Sequence, residues 1–191
     1  MSTATEQKLY TYADYKGLPE NQRIELIDGQ IYDMAPAPSR LHQEIISELI
    51  TVVNSYIKSN KGQCKVYPAP FDVILTKSKD LENSRNVVQP DISVICDRTK
   101  LTDKGCIGSP DLIIEVVSPF NPSTDYVKKL NLYNIHKVRE YWIVNPMNKT
   151  ILVYRLDNNS QYAAPESYTF RDKVKVGIFD NLEIDFSVLE L

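Results

Sequence analysis

The run Leu112-Ile-Ile-Glu115-Val-Val117 constrains this chain more than any other stretch. Apolar residues in succession, most of them β-branched, read as a strand covered on both faces. A carboxylate in the middle of such a strand is an anomaly. Burying an unpaired charge costs several kcal/mol, so Glu115 needs a lysine, an arginine or a metal ion beside it. A second acid breaks a similar stretch, Gln89-Pro-Asp91-Ile-Ser-Val-Ile95. Strand alternation puts Asp91, Ser93 and Ile95 on one face, and Ile113, Glu115 and Val117 on one face of theirs. If the two strands pair, the carboxylates meet across the ladder, roughly 4.5–5.5 Å apart at Cβ. Placed so, they can share an ion; without a cation one carboxyl would stay protonated.

The flanking sequence divides into short elements. Residues around Thr11 to Gly17 predict a short helix, stopped by Gly17 and Pro19. Asp28-Gly29 between two alternating runs within Arg23–Met34 predicts a hairpin with a type I′ turn. Ser39 to about Ser59 is the clearest helix, with Leu41, Ile45, Ile46, Leu49, Val52, Val53 and Tyr56 at helical spacing and Ser39 as cap. Strands follow at about Gln63–Tyr67, Phe71–Leu75 and Gln89–Ile95. Lys77–Asn86 is a polar loop, and Gly105–Asp111 is rich in turn residues. A second helix is expected from about Asp125 to His136 after the capping run Asn121-Pro-Ser-Thr124, with Val127, Leu130 and Tyr133 facing the sheet. Tyr141–Val144, Ile151–Leu156, Ser167–Phe170 and Val174–Ile178 complete the strands. This order gives an α/β sandwich. One domain over residues 1–191 is expected, with a core at about 20–156 and a β meander over 151–191.

Composition excludes several classes. No apolar run approaches the roughly 18 residues that span a bilayer, and the amino terminus has no apolar signal-peptide core. The three cysteines, Cys64, Cys96 and Cys106, include no Cys-x-x-Cys pair. They favour a reducing cytoplasm over a disulfide framework or a zinc site. A net charge of −3 and a pI near 5.5 do not advertise a polyanion partner. No phosphate-binding glycine loop, dinucleotide fingerprint or Gly-x-Ser-x-Gly elbow around Ser118 is present.

The two acids suggest a divalent-metal site for phosphodiester hydrolysis. Magnesium suits an incomplete oxygen cage, keeps several waters and lowers the pKa of one of them. Lys129, one helical turn after Asp125, would orient the attacking water or neutralise the transition state, while Lys128 points to solvent. Plainer readings stand beside these. Asp91 after Pro90 also reads as a strand entry, and Glu115 as half of a structural ion pair with Lys129. Asp125 reads as a surface partner of Lys129 or as a helix cap. His42 reads as a polar residue at a helix start, and His136 as a helix end where positive charge is welcome. Lys128, Lys137 and Arg139 form with His136 a modest basic cluster that would touch phosphates or simply face water.

Four motifs carry a family resemblance: Pro90-Asp91; Pro110-Asp-Leu-Ile-Ile-Glu115-Val-Val-Ser-Pro119; Asp125-x-x-x-Lys129-x-x-x-Tyr133; and Arg139-Glu-Tyr-Trp-Ile-Val-Asn-Pro146. Together with Glu25-Leu-Ile-Asp28-Gly29 and the His42-Gln helix start, they resemble the Uma-type endonuclease family over roughly residues 10 to 156. That family belongs to the restriction-endonuclease-like superfamily with the PD-(D/E)XK signature. The resemblance implies an α/β fold with a central mixed β-sheet flanked by helices, preceded here by a β-hairpin and followed by a β-rich extension. It also implies dependence on Mg²⁺ or Mn²⁺, DNA as substrate and a homodimer. Carried over by position, Asp91 and Glu115 are the two acids and metal ligands, and the backbone carbonyl of Val116 is the third ligand. Val117 stands where the superfamily signature has lysine, and the family pattern moves that role to Lys129. His42 and Asp125 are accessory candidates. The expected function is DNA phosphodiester hydrolysis. The alternatives are a catalytically inactive DNA- or protein-binding module on the same fold, or a metal-dependent hydrolase acting on another substrate.

Overall fold

The computed structural model describes residues 8–19, 22–34, 38–77, 80–118 and 124–189, with the side chain of Asp125 excepted. Helix α1 (Tyr12–Tyr15) begins at a capping box, in which Thr11 and Asp14 each accept the other's backbone N–H. Strands β1 (Ile24–Ile27) and β2 (Gln30–Asp33) form the expected hairpin. Both turn residues lie in the left-handed region, Asp28 at φ 50° and Gly29 at φ 78°. Helix α2 (Arg40–Ser59) matches its predicted span, and the Ser39 hydroxyl accepts the N–H of His42.

Strands β3 (Lys65–Pro68), β4 (Val73–Ile74), β5 (Val87–Val88) and β6 (Ile92–Ile95) follow. The segment expected as turns instead contributes to a small hairpin, β7 (Leu101–Thr102) and β8 (Gly105–Ile107). Next come β9 (Leu112–Val116), helix α3 (Leu130–Ile135), β10 (Glu140–Asn145) and β11 (Thr150–Arg155). The chain closes with β12 (Glu166–Thr169), β13 (Lys173–Lys175) and β14 (Glu183–Asp185).

Two six-stranded mixed sheets result. The first runs β2-β1-β5-β4-β8-β7, so the hairpin is the edge of a larger layer. The second runs β12-β11-β10-β9-β6-β3, with β9 and β10 parallel and the other neighbours antiparallel. Strand β9 sits inside it and feeds two cores, as its composition demands. Leu112, Ile114 and Val116 join Ile45, Leu49 and Val53 of α2 in one core, with Trp142 and the carboxy-terminal Val174, Ile184 and Phe186. Ile113 and Val117 join Tyr133 and Tyr141 in the other, with Val73 and Val88 of the first sheet. A mixed central sheet between helices, with strand-rich extensions at both ends, is therefore the architecture.

Two expectations are corrected. The second helix does not start as a regular α-helix: Thr124–Lys129 form a π-helical turn that leads into α3. The wider turn rotates Val127 outward, where it is 63% exposed instead of facing the sheet; residues 121–123 of the expected cap lie outside the described residues. Cys64 and Cys96 are joined as a disulfide, where the cysteine pattern favoured none. They extend the β3–β6 register by one position beyond Lys65–Ile95, which sets them opposite each other. His136 ends α3 as expected, and burial, helped by Lys77, lowers its pKa.

Candidate active site

Asp91 and Glu115 come together because β6 and β9 are antiparallel neighbours. Their register pairs Ile92 with Ile114 and Ser93 with Ile113, and one step further sets Asp91 opposite Glu115. The N–H of Val116 donates to Asp91 Oδ2 at 2.8 Å, and the N–H of Asp91 reaches Glu115 Oε2 at 3.4 Å. Each acid is thus held by the backbone of the other's strand. His42, buried at the start of α2, places Nε2 3.3 Å from Asp91 Oδ2. An imidazole near the start of a long helix therefore faces the Asp91 carboxylate.

Glu115 is 3% exposed. Its Oε1 accepts hydrogen bonds from Lys129 Nζ and from the Tyr133 hydroxyl, each at 2.9 Å. Lys129 is 5% exposed and lies also 3.0 Å from Glu25 Oε1. Glu25 is the residue that sequence reasoning left out of the site. It sits in β1, is itself buried, and accepts the N–H of Gln89. The Gln89 amide donates in turn to Asp72, which also accepts from the Tyr15 hydroxyl. Burial, with Asp72 alongside, raises the pKa of that phenol. The signal for Glu25 was present in Ile24-Glu25-Leu26-Ile27, the same pattern of an acid within an apolar run.

Glu25, His42, Gln89, Asp91, Glu115 and Lys129 line a cleft of about 670 Å³. Its floor is Asp91, Glu115, Lys129 and Glu25; Pro68, Pro70, Pro146 and Met147 belong to its apolar wall. Val116 and Thr124 reach it as well. Lys128, adjacent to Lys129 in sequence, lies elsewhere, with its amine 4.0 Å from the centre of the Tyr32 ring. The other members of the basic cluster have local partners: Lys137 donates to the Ser160 carbonyl and Arg139 pairs with Asp111. Among the described residues, three carboxylates, Glu25, Asp91 and Glu115, meet here with the one ammonium of Lys129, which pairs with Glu25 and Glu115 while Asp91 faces His42. That imbalance favours a further cation. Among the described residues no group of three His, Cys, Asp or Glu side chains forms a ready cage for a metal.

Comparison with known proteins agrees with this architecture. A crystal structure of "a putative nuclease belonging to DUF820" from Anabaena variabilis superposes with a TM-score of 0.75 at 25% identity, covering 94% of this chain and 96% of that one. The fold is therefore that of a nuclease-like α/β protein. The sequence pattern of the Uma2 family, described as "Putative restriction endonuclease", matches residues 9–187, and the chain belongs to that family. It is also 26% identical over 144 residues to the uncharacterized protein slr1290 of Synechocystis sp., covering 75% of this chain and 71% of the relative. No helix among the described residues is long and apolar enough to cross a membrane.

Proposed function

We propose that this protein is an endonuclease that hydrolyses DNA phosphodiester bonds with Mg²⁺ or Mn²⁺. The observation that carries the reading is the convergence of Asp91 and Glu115 from adjacent strands at the floor of one cleft, with the Lys129 ammonium 2.9 Å from Glu115. The donor set fits a hard divalent ion. It consists of carboxylate oxygens with an excess of negative charge and no thiolate, and such ions take few protein ligands and keep their waters. Asp91 and Glu115 would hold the ion, with the backbone carbonyl of Val116 as third ligand. When bound, it would lower the pKa of a water and offset charge on the scissile phosphate.

The chain's own groups have separate tasks. His42 Nε2 and the Val116 N–H fix the Asp91 carboxylate in place. Tyr133 fixes Glu115. Lys129, clasped by Glu25 and Glu115, presents positive charge where the phosphate gains negative charge, in a site partly closed to water. Assembly as a homodimer belongs to this reading and is tested by analytical ultracentrifugation. So does a cytoplasmic location, where DNA would be met.

Plasmid and single-stranded DNA incubated with Mg²⁺ or Mn²⁺ provide the test. Wild type should cut, and Asp91→Ala and Glu115→Ala should each lose at least about a hundredfold in rate, the scale of removing a principal electrostatic group. Cleavage that persists in both variants refutes the assignment. DNA binding without cleavage by wild type would select the inactive binding module instead.

A further inference from the structure

The hydroxyl of Thr124 forms no hydrogen bond within the fold. The residue is only 6% exposed, and Oγ1 has no hydrogen-bond partner. A hydroxyl taken from water without a partner is costly, and most buried polar groups avoid that state. Thr124 opens the turn that leads into α3, a position where threonine usually caps a helix. A cap would accept a backbone N–H, and this oxygen accepts none. Yet the residue lines the same cleft as Lys129.

The π-helical turn explains the juxtaposition. Its hydrogen bonds link residues five apart, so its first and last members, Thr124 and Lys129, stack on one side. In a regular α-helix the same two residues would stand about 140° apart around the axis. Such wide turns are frequent at functional sites. Here the turn brings an unsatisfied hydroxyl to the cleft that holds the buried Lys129 ammonium, and the other charged groups at its floor, Asp91, Glu115 and Glu25, are acceptors. An anionic ligand, which accepts hydrogen bonds and offers none, suits the Thr124 and Lys129 side.

We propose that Thr124 is a substrate-binding residue, donating its hydroxyl hydrogen bond to a non-bridging oxygen of the scissile phosphate beside Lys129. The proposal rests on the nuclease reading above. Two variants test it: Thr124→Val, which keeps the shape and removes the hydroxyl, and Thr124→Ser, which keeps the hydroxyl. Thermal melting, binding of a short fluorescein-labelled oligodeoxynucleotide in EDTA, and Mg²⁺-dependent cleavage are measured for each.

Thr124→Val should melt above wild type, because an unpaired buried hydroxyl is gone. It should nonetheless bind the oligonucleotide about tenfold or more weakly, the scale of one charge-assisted hydrogen bond, and cleave correspondingly slowly. Thr124→Ser should stay near wild type in binding and cleavage. With a phosphorothioate at the scissile position, wild type should be slowed by sulfur at the contacted oxygen, and Thr124→Val should lose that sensitivity for one isomer only. A lower melting temperature for Thr124→Val means that the hydroxyl serves the fold, and overturns the proposal. Wild-type binding and cleavage in Thr124→Val overturns it too. If wild type binds but does not cut, the nuclease reading fails and the binding comparison alone decides Thr124. If wild type does not bind the oligonucleotide at all, both fail.

Discussion

At the scale of single residues, Lys129 governs the electrostatics. It lies between Glu25 and Glu115, and all three are buried. Removing one partner of a buried ion pair costs about 3–5 kcal/mol, because the charge left behind has neither water nor a counterion. Lys129→Met should lose stability on that scale in urea unfolding near neutral pH. Adding Glu25→Gln should recover part of the loss, since one stranded carboxylate is neutralised. A double variant no better than the sum of the two single changes would show that the groups are not coupled. Asp91, Glu115 and Lys129 were legible in the sequence because each acid interrupts an apolar strand and the lysine has a helical spacing from the motif. Glu25 was not, because alternating runs around a tight turn are compatible with a hairpin that turns one face to water. Only the docking of a second sheet makes both faces of β1 interior. Thr124 was hidden for another reason: a hydroxyl residue before a helix reads as a cap.

At the scale of elements, legibility followed length. Helix α2 and strands β9 to β11 carry enough periodic residues to mark themselves. Strands β5, β7, β8 and β14 have two or three residues each, too few for any period to show. The β1–β2 hairpin was legible through its turn chemistry and the two alternating runs around it. Gly29 is positive in φ, and a Cβ there would stand 3.1 Å from Leu9 Cβ and 3.3 Å from the Tyr10 carbonyl. Gly29→Ala should therefore cost about 1–2 kcal/mol, the penalty of the left-handed conformation for an L-residue, read as a lower denaturation midpoint. The disulfide between Cys64 and Cys96 was invisible for a related reason. Sequence spacing does not reveal which strands pair, and only the β3–β6 register sets the two residues side by side.

At the scale of the whole molecule, Glu140 fastens the carboxy-terminal strands to the second sheet. It is 1% exposed, accepts from Trp142 Nε1 and the Ile178 N–H, and pairs with Arg155, which donates to the Lys175 carbonyl. Burial raises its pKa, outweighing the lowering by the Trp142 hydrogen bond and by Arg155. An acid whose folded-state pKa lies above its unfolded value contributes stability that is full below the unfolded pKa, about 4.3, and lost as pH rises through the folded value. The stability of wild type minus that of Glu140→Gln should therefore shrink as pH is raised from about 4 upward. Urea titrations across that range check it, and a difference that is flat or grows would contradict the stated direction. The grip on Lys129 from both sheets has its own consequence. Glu25 arrives with the amino-terminal layer and Glu115 with the central one, so neither layer alone can seat the amine. In the nuclease proposed above this arrangement would act as an arming interlock: a chain whose two layers have not docked would lack an aimed lysine. On that reading, only the fully folded chain would cut.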